Sequence, residues 1–293
     1  MKPEDILSIL PNTSFPVGLG GCYVDQANFE CCAYDITIFD GTDNQESIVE
    51  NDGKLFRIHH HSLSETSVEL LIQFQNMQIL SDEQWELQMF LAKIKERQES
   101  IFNVFTKNSI IESQICLTKA TNGLSKSDPF IPVWIKCAAY FLTDAIIALN
   151  KFRPSPTHML NTLRNFKPSQ INKTLSVVLN SIGLERATPS LLERMMKSGI
   201  GLSDLIEKNN NSRIIKTKTN CLIEQSLFSD CYFYIGYVNR KNLYSIKDSL
   251  DKHPEIIHIL KTGFDLEYDK STFDSEIQSL NDVGKSLLKS TYK

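Results

Sequence analysis

The sequence changes character near residue 80, and this change limits the folds that the chain can adopt. Before it lie short β-type runs, such as Ala33–Phe39 and Lys54–His59, bounded by clusters of Gly, Asn and Asp. After it the apolar residues recur at helical spacing almost throughout the chain. We therefore predict an α+β protein, with a small mixed-sheet domain over residues 1–80 and a mainly helical domain over residues 81–293.

Polar residues at three positions mark expected helix starts in the second part of the chain. Ser81 opens a capping-box pattern with Gln84, in which each side chain bonds a backbone N–H of the first helical turn. Ser155 and Thr188 each precede a proline, which is favoured at the first position of a helix. We expect helices after these residues and no sheet of consequence after residue 80.

The most apolar stretch, residues 130–149, contains Lys136 and Asp144. Charged groups are costly inside a bilayer, so a buried helix is expected there and not a membrane span. Glu4 and Asp5 precede any apolar run at the N-terminus, which is not the pattern of a signal peptide. Seven cysteines, an odd number with no Cys-x-x-Cys pair, indicate reduced thiols in a cytoplasmic protein.

The charge balance excludes a generally basic nucleic-acid-binding protein. Lys and Arg number 31 against 35 Asp and Glu, which gives a formal net charge of −4. A local basic patch is compatible with that balance, so nucleic acid stays among the candidate partners. The basic run Lys93, Lys95 and Arg97 is interpreted as a solvated helix face.

A glycine turn followed by an acidic strand is the strongest motif of the chain. The run Val17–Cys22 contains Gly20 and Gly21, and Asp35 lies in the strand pattern Tyr34–Phe39. This arrangement resembles the nucleotidyltransferase superfamily with the polymerase-β-type fold, especially its small members with a helical substrate-binding domain. In that family the turn lets the backbone approach a triphosphate. Two acids at i and i+2 of the next strand hold Mg²⁺, and a third acid comes from a neighbouring strand.

The resemblance implies that Gly20 and Gly21 contact phosphate, that Asp35 holds Mg²⁺, and that a nucleotide binds between the two domains. Thr37 occupies the second acidic position of the motif, where a neutral hydroxyl is a poor substitute for a carboxylate on Mg²⁺. Other acids would then have to supply the missing carboxylate. The nearest in sequence are Asp40 and Asp43, beyond the strand, and Asp25 and Glu30, after the glycines.

Strand parity predicts which side chains share a face with Asp35. The apolar residues expected to face one common core are Ile36, Ile38, Phe56 and Ile58. Because side chains alternate along a strand, Asp35 then shares the opposite, open face with Arg57, His59 and His61. On neighbouring strands Arg57 would replace the third acid and neutralise Asp35, and such a face suits an anion better than Mg²⁺. The expected ligand is a nucleotide or another small phosphorylated molecule, contacted by the two glycines, Arg57, His59 and His61.

The expected function is that of a divergent nucleotidyltransferase-like protein with weak or absent transfer chemistry. If a second carboxylate reaches Asp35, the same site would be a Mg²⁺-dependent nucleotidyltransferase. A different class is a non-enzymatic interaction module that uses its helical part for protein partners. His59 and His61, at i and i+2 of a strand, also have the spacing of zinc ligands.

A second enzyme class is suggested by an Arg-x4-His spacing at Arg153 and His158. This spacing resembles the nuclease motif of HEPN-type helical domains, which cleave RNA near the end of a helix bundle. Pro154 and Pro156 intervene between the two residues, and they favour an extended entry to a helix. We therefore expect that Arg153 and His158 do not form a nuclease pair.

Overall fold

The computed structural model describes residues 2–10, 14–25, 32–42, 46–169, 171–206, 211–248 and 250–291. The protein is α+β, with a five-stranded mixed sheet followed by a mainly helical region. The chain divides into two compact units, Met1–Phe102 and Asn103–Lys293. All strands of the described residues lie in the first unit, as the sequence predicts.

Three helices and five strands lie wholly within the described residues of the first unit. In chain order they are α1 (Pro3–Leu7), β1 (Val17–Gly20), β2 (Tyr34–Ile38), β3 (Glu46–Asn51), β4 (Lys54–His60), α2 (Val68–Leu71), β5 (Gln78–Ser81) and α3 (Glu86–Glu96). The strand order in the sheet is β3-β4-β2-β1-β5. The β2 and β4 strands are parallel, and the other neighbours are antiparallel. The strands that carry Asp35 and His59 are therefore direct neighbours in one sheet, which confirms the expected geometry.

One face of the sheet forms an apolar core with the N-terminal helix. Ile6 of α1 packs with residues that alternate along β2 and β4, and those residues are Ile36, Ile38, Phe56 and Ile58. All of them are at most 4% exposed. Burying this set supplies the hydrophobic stabilisation that fixes strand register, because a one-residue slip would turn every one of these side chains outward.

The opposite face is covered at one end, which strand parity alone does not predict. Phe39 follows β2, and its ring meets the rings of Phe74 and Phe90 edge to face at 5.5 and 5.8 Å. His61 joins the same cluster, with its ring centroid 5.6 Å from that of Phe74. The open part of this face is therefore limited to the end that carries Asp35 and Arg57.

The second unit is built from helices. They are α4 (Gln98–Leu124, which begins in the first unit), α5 (Ile131–Leu149), α6 (Met159–Arg164), α7 (Leu175–Ile182), α8 (Pro189–Ile206), α9 (Asn211–Glu224), α10 (Phe228–Ser245), α11 (Ile256–Gly263) and α12 (Lys270–Ser290). The α5 helix contacts α7 and α12, and α8 contacts α9, α10 and α11. The sequence pattern predicts one long helix over about 216–250, but the chain breaks between α9 and α10. Ser226 adopts a φ of 59° there, so the helical hydrogen bonds cannot continue.

Two of the three expected helix starts are displaced. Ser81 ends strand β5, and α3 begins only at Glu86, where Asp82 accepts a hydrogen bond from the N–H of Gln88 at 2.8 Å. At Ser155 the chain forms a turn closed by the N–H of His158 at 2.9 Å, and α6 begins after it. At Thr188 the prediction is confirmed, since its hydroxyl accepts a hydrogen bond from the N–H of Leu191 at 3.4 Å.

The α5 helix is the one described helix that is long and apolar enough to cross a membrane. Its most apolar segment has a mean hydropathy of 1.5, and 94% of that segment is buried inside the protein. A single helix of this kind is weak evidence for a membrane span, because the core helix of a soluble protein has the same properties. The predicted buried helix is therefore confirmed.

The two charged residues of α5 are both buried and both bonded to α10. Lys136 Nζ donates to the Tyr232 hydroxyl at 2.8 Å and to the backbone carbonyl of Phe264 at 2.6 Å. Burial lowers the pKa of Lys136 to about 7. The Asp144 carboxylate accepts hydrogen bonds from Arg240 at 2.6 Å and from the Tyr237 hydroxyl at 2.8 Å. Hydrogen bonds therefore join α5 to α10 at two positions along α5, Lys136 and Asp144.

Candidate functional site

The predicted glycine turn and the predicted acid meet in the first unit. Strand β1 ends at Gly20, which pairs in register with Asp35, and a short 3₁₀ turn follows over Gly21–Tyr23. Gly21 has a φ of +72°, and a Cβ at this position would overlap the carboxylate of Asp35. Only glycine adopts this positive φ without strain and also leaves room for the carboxylate. The Asp35 carboxylate therefore lies in direct contact with the turn.

Gly18 of the motif makes room for Met77, a role that the sequence pattern does not reveal. A Cβ at Gly18 would overlap the thioether of Met77, and a Cβ at Gly20 would lie 3.7 Å from Met77 Cε. Met77 follows α2 and reaches β1 at these two glycines. The glycine at position 18 is therefore explained by packing, whereas that at position 21 is explained by the carboxylate of Asp35.

Arg57 lies beside Asp35, as strand parity predicts. The parallel register of β2 and β4 pairs the two residues, and Arg57 Nη1 is 4.0 Å from Asp35 Oδ1. The two side chains are 25% and 28% exposed, so solvent and small molecules can reach both. A cation thus occupies the neighbouring-strand position where the family resemblance implies a third acid. Thr37, in the second acidic position, is only 5% exposed.

Glu46 is a second carboxylate of this site that sequence reasoning missed. It begins the edge strand β3, where it pairs with His59 in antiparallel register. Its Oε1 is 3.2 Å from Arg57 Nε, and its Oε2 is 3.8 Å from His59 Nδ1. Because β4 lies between β3 and β2, Arg57 separates Glu46 from Asp35. The site therefore holds one guanidinium between two carboxylates.

The sequence does carry a signal for β3. Asp52 and Gly53 form the two-residue connection of a hairpin, with φ values of 49° and 70°, and Asn51 pairs with Lys54 across it. An Asp-Gly pair with positive φ at both residues is typical of a type I′ hairpin. If the residues before this turn are paired one by one with those of β4, starting from Asn51 and Lys54, Glu46 comes to lie opposite His59.

The predicted contacts His59 and His61 have different surroundings. The side chain of His59 is 25% exposed and lies beside Glu46. His61 is only 8% exposed, and its ring stands edge to face with Phe74. The two imidazole rings stack at 6.1 Å with an interplanar angle of 18°. Of the two, His59 is the one that the fold presents to the neighbourhood of Arg57.

The other candidate acids are held by other partners where the structure describes them. Asp40 Oδ2 is 2.7 Å from His60 Nδ1, and Oδ1 accepts a hydrogen bond from the N–H of Thr42 at 2.9 Å. Burial works to raise the pKa of Asp40, but these contacts outweigh it and lower the pKa below its usual value. Asp25 Oδ1 is 3.5 Å from the side-chain amide of Asn76. The candidates Glu30 and Asp43 lie outside the described residues.

The Arg-x4-His spacing of the second unit does not lie on a helix. Residues 152–155 have no regular secondary structure, as the two prolines predict, and α6 begins only after His158. His158 is 4% exposed, and its carbonyl accepts a hydrogen bond from the Thr162 hydroxyl at 3.1 Å. His158 is therefore buried at the start of a helix, and Arg153 lies before that helix, in agreement with the expectation that the prolines hold this stretch in an extended entry.

A scan against the sequence profiles of known protein families and a search among curated proteins both find no match. Function therefore has to be inferred from the geometry of the cluster formed by Gly21, Asp35, Glu46, Arg57 and His59. We refer to these five residues below as the Arg57 cluster.

Proposed function

We propose that the first unit binds a nucleotide or another small phosphorylated ligand at the Arg57 cluster, without transferring a nucleotidyl group. The observation that carries this proposal is the position of Arg57, with its guanidinium 3.2 Å from Glu46 and 4.0 Å from Asp35. The protein would thus keep the turn and first acid of a nucleotidyltransferase-like site and use them for recognition.

The arrangement of charges disfavours two-metal catalysis. That chemistry needs carboxylates that hold two ions about 3.5–4 Å apart, so several acids must converge on one point. At Asp35 the neighbouring group is a guanidinium, which repels a metal ion, and at position 37 it is a buried hydroxyl. Glu46 could supply negative charge, but its carboxylate lies on the far side of Arg57.

The same arrangement suits a phosphate group. Arg57 presents N–H donors in a planar fork that matches phosphate oxygens, and Glu46 places a negative charge 3.2 Å from Nε, on the side away from Asp35. The ion pair with Asp35 is long, at 4.0 Å, so a phosphate oxygen would replace Asp35 as the partner of Nη1. Asp35 would then be available to a Mg²⁺ ion that accompanies the phosphate groups of a nucleotide.

We expect nucleoside triphosphates or inorganic triphosphate to stabilise the full-length protein, and Arg57→Met to weaken this binding at least tenfold. A ligand that binds only the folded state stabilises it by about 2.7 kcal/mol at one hundred times its dissociation constant. Loss of one charge-assisted contact corresponds to about 1.5–3 kcal/mol, and a tenfold change is about 1.4 kcal/mol. Thermal denaturation with each ligand, with and without Mg²⁺, measures the effect.

Lys54→Met is the matched control for this measurement. Lys54 is the exposed first residue of β4, and Arg57 lies in the middle of that strand, so the variant removes an equal charge from the same strand. It should keep the binding of the unmodified protein. Equal weakening in both variants, or no stabilisation by any of the ligands, would contradict the proposed site.

We also expect no nucleotidyl transfer above background when labelled nucleoside triphosphates are incubated with Mg²⁺ or Mn²⁺ and with protein, RNA and small-molecule acceptors. The reason is that position 37, next to Asp35 on its strand face, carries a buried hydroxyl, and that Arg57 is the neighbour of Asp35 among the described residues. Transfer of label that disappears in Asp35→Ala would restore the enzyme hypothesis. Retained ligand binding in Thr37→Val, with no transfer in either protein, would support recognition without turnover.

A further inference from the structure

A cavity of about 350 Å³ lies in the first unit, between α3, α2 with the segment that precedes it, and the first turn of α4. We refer to it below as the α3 cavity. All of its lining residues fall within residues 63–101, so the cavity is a property of this unit alone, and none of them belongs to the Arg57 cluster. Binding sites for small molecules usually have volumes of about 300–1,000 Å³, so the α3 cavity is large enough for one.

The inner wall of the α3 cavity is apolar. Four of its side chains are at most 8% exposed, and they are Leu71, Phe90, Ile94 and Ile101. Met89 of α3 lines the same cavity and is 56% exposed, so the apolar surface continues to the rim. An aliphatic chain in the cavity would be stabilised, because its binding removes apolar area of both molecules from water. The wall therefore favours a ligand with an apolar body.

Two cations line the α3 cavity and have no counter-ion among the described residues. Lys93 lies in the last turn of α3, and Arg97 directly follows this helix. Within the described ranges, neither side chain forms an ion pair or a hydrogen bond. The third cation of the basic run, Lys95, does not line the cavity. An anionic group of a ligand would supply the counter-ion that these residues do not.

Two carboxylates also line the α3 cavity, and they limit the charge that a ligand can bring. Glu65 Oε1 accepts hydrogen bonds from the N–H groups of Thr66 at 2.8 Å and of Ser67 at 2.6 Å. Glu86 begins α3 and precedes Lys93 by seven residues, which corresponds to about 10 Å along a helix axis. With two cations and two acids, the lining has no formal net charge. A carboxylate brings one negative charge, whereas a phosphate group brings about −1.5 to −2, so the balance favours a carboxylate.

We propose that the α3 cavity binds a small carboxylic acid with an aliphatic chain. The chain would cover Met89, Phe90 and Ile94, and the carboxylate would pair with Lys93 and Arg97. The planar guanidinium of Arg97 can donate to both carboxylate oxygens, and Lys93 adds a second positive charge. Apolar contact supplies affinity in this arrangement, and the two cations select the anionic head group. The site is separate from ligand binding at the Arg57 cluster.

The test uses the full-length protein and octanoate, with octylammonium and octanol as probes that carry the same chain. Isothermal titration calorimetry should show saturable binding of octanoate, and octanol should bind at least tenfold more weakly. Arg97→Met should weaken octanoate binding at least tenfold, because a charge-assisted contact is lost. The double variant Lys93→Glu/Arg97→Glu should instead prefer octylammonium.

Lys95→Met is the matched control for Lys93→Met. Both lysines lie in the last turn of α3, where a positive charge stabilises the helix end, so the two variants should lose stability equally. Only Lys93→Met should bind octanoate more weakly, because Lys95 does not line the cavity. Equal octanoate binding by the two variants, or no exchange of preference on charge reversal, would overturn the proposal. So would absence of saturable binding, equal affinity for octanol, or competition between octanoate and inorganic triphosphate for one site.

Discussion

Replacement of Arg240 by alanine should lower the free energy of unfolding of the second unit by about 3–5 kcal/mol. Arg240 Nη1 donates to Asp144 at 2.6 Å, and both side chains are at most 7% exposed. Burial alone would lower the pKa of Arg240, but the Asp144 carboxylate raises it above its usual value. Removal of the guanidinium leaves a buried carboxylate without its counter-ion, and that uncompensated charge causes most of the loss.

The Arg240 guanidinium also fills space between aromatic rings, so the loss of stability in Arg240→Ala is not only electrostatic. The guanidinium carbon of Arg240 lies 4.3 Å from the ring centroid of Phe141 and 4.1 Å from that of Tyr237. Arg240→Met/Asp144→Leu should therefore be more stable than Arg240→Ala, because it removes both charges and keeps apolar volume. Native-state hydrogen exchange of α5 and α10 amides measures the free energy in this unit separately.

Lys285→Ala provides the exposed comparison for the Arg240 experiment. Lys285 Nζ is 3.4 Å from Asp282, and both side chains are more than 60% exposed. Exposed pairs of this kind contribute about 0–1 kcal/mol, so the variant should hardly change stability. If Arg240→Ala changed stability as little as Lys285→Ala does, the pair with Asp144 would not stabilise the fold.

The α+β fold could be predicted because its signals are local. Alternating apolar residues in Tyr34–Ile38 and Lys54–His60 identify two strands, and helical spacing after residue 80 identifies the second unit. Where a helix begins at a different residue from the predicted one, the cause is a local backbone conformation that the amino-acid composition does not reveal. Trp85 adopts a φ of 63° before α3, and Ser226 adopts 59° before α10, although neither residue type favours positive φ.

The candidate site could be predicted only in part, because two of its features depend on tertiary structure. Parity on two neighbouring strands predicts that Asp35 and Arg57 lie on one face, and the register shows that the two residues are paired. Glu46 belongs to the site because it lies on the edge strand β3, and the sequence of β3 alone does not predict where that strand lies in the sheet. His61 has the parity of an exposed residue, yet Phe74, from a segment after α2, covers it.

Gly21→Ala should destabilise the first unit by about 3 kcal/mol and disrupt the Arg57 cluster. A side chain at a φ of +72° costs about 1–2 kcal/mol through backbone strain alone. The new Cβ would also overlap the Asp35 carboxylate, so the turn or β2 must shift, and overpacking of this kind costs about 1–3 kcal/mol more. Hydrogen exchange of β1 and β2 amides measures the loss, and the affinity for triphosphate should fall with it.

Gly53→Ala separates the two causes, because Gly53 has a nearly equal φ of +70°, and beyond its own chain neighbours no described residue has an atom within 4 Å of the position that its Cβ would take. Gly53→Ala should be destabilised only by the backbone strain, and it should keep ligand binding. In Gly21→Ala/Asp35→Ala the carboxylate is gone, so part of the stability loss should be recovered, although the Cβ of residue 35 stays 3.0 Å from the new Cβ. If Gly21→Ala were no more harmful than Gly53→Ala, close contact between the turn and Asp35 would be wrong. The contact between Gly21 and Asp35 is part of the Arg57 cluster. Without that contact, the proposal that the cluster binds phosphate would lose part of its structural basis.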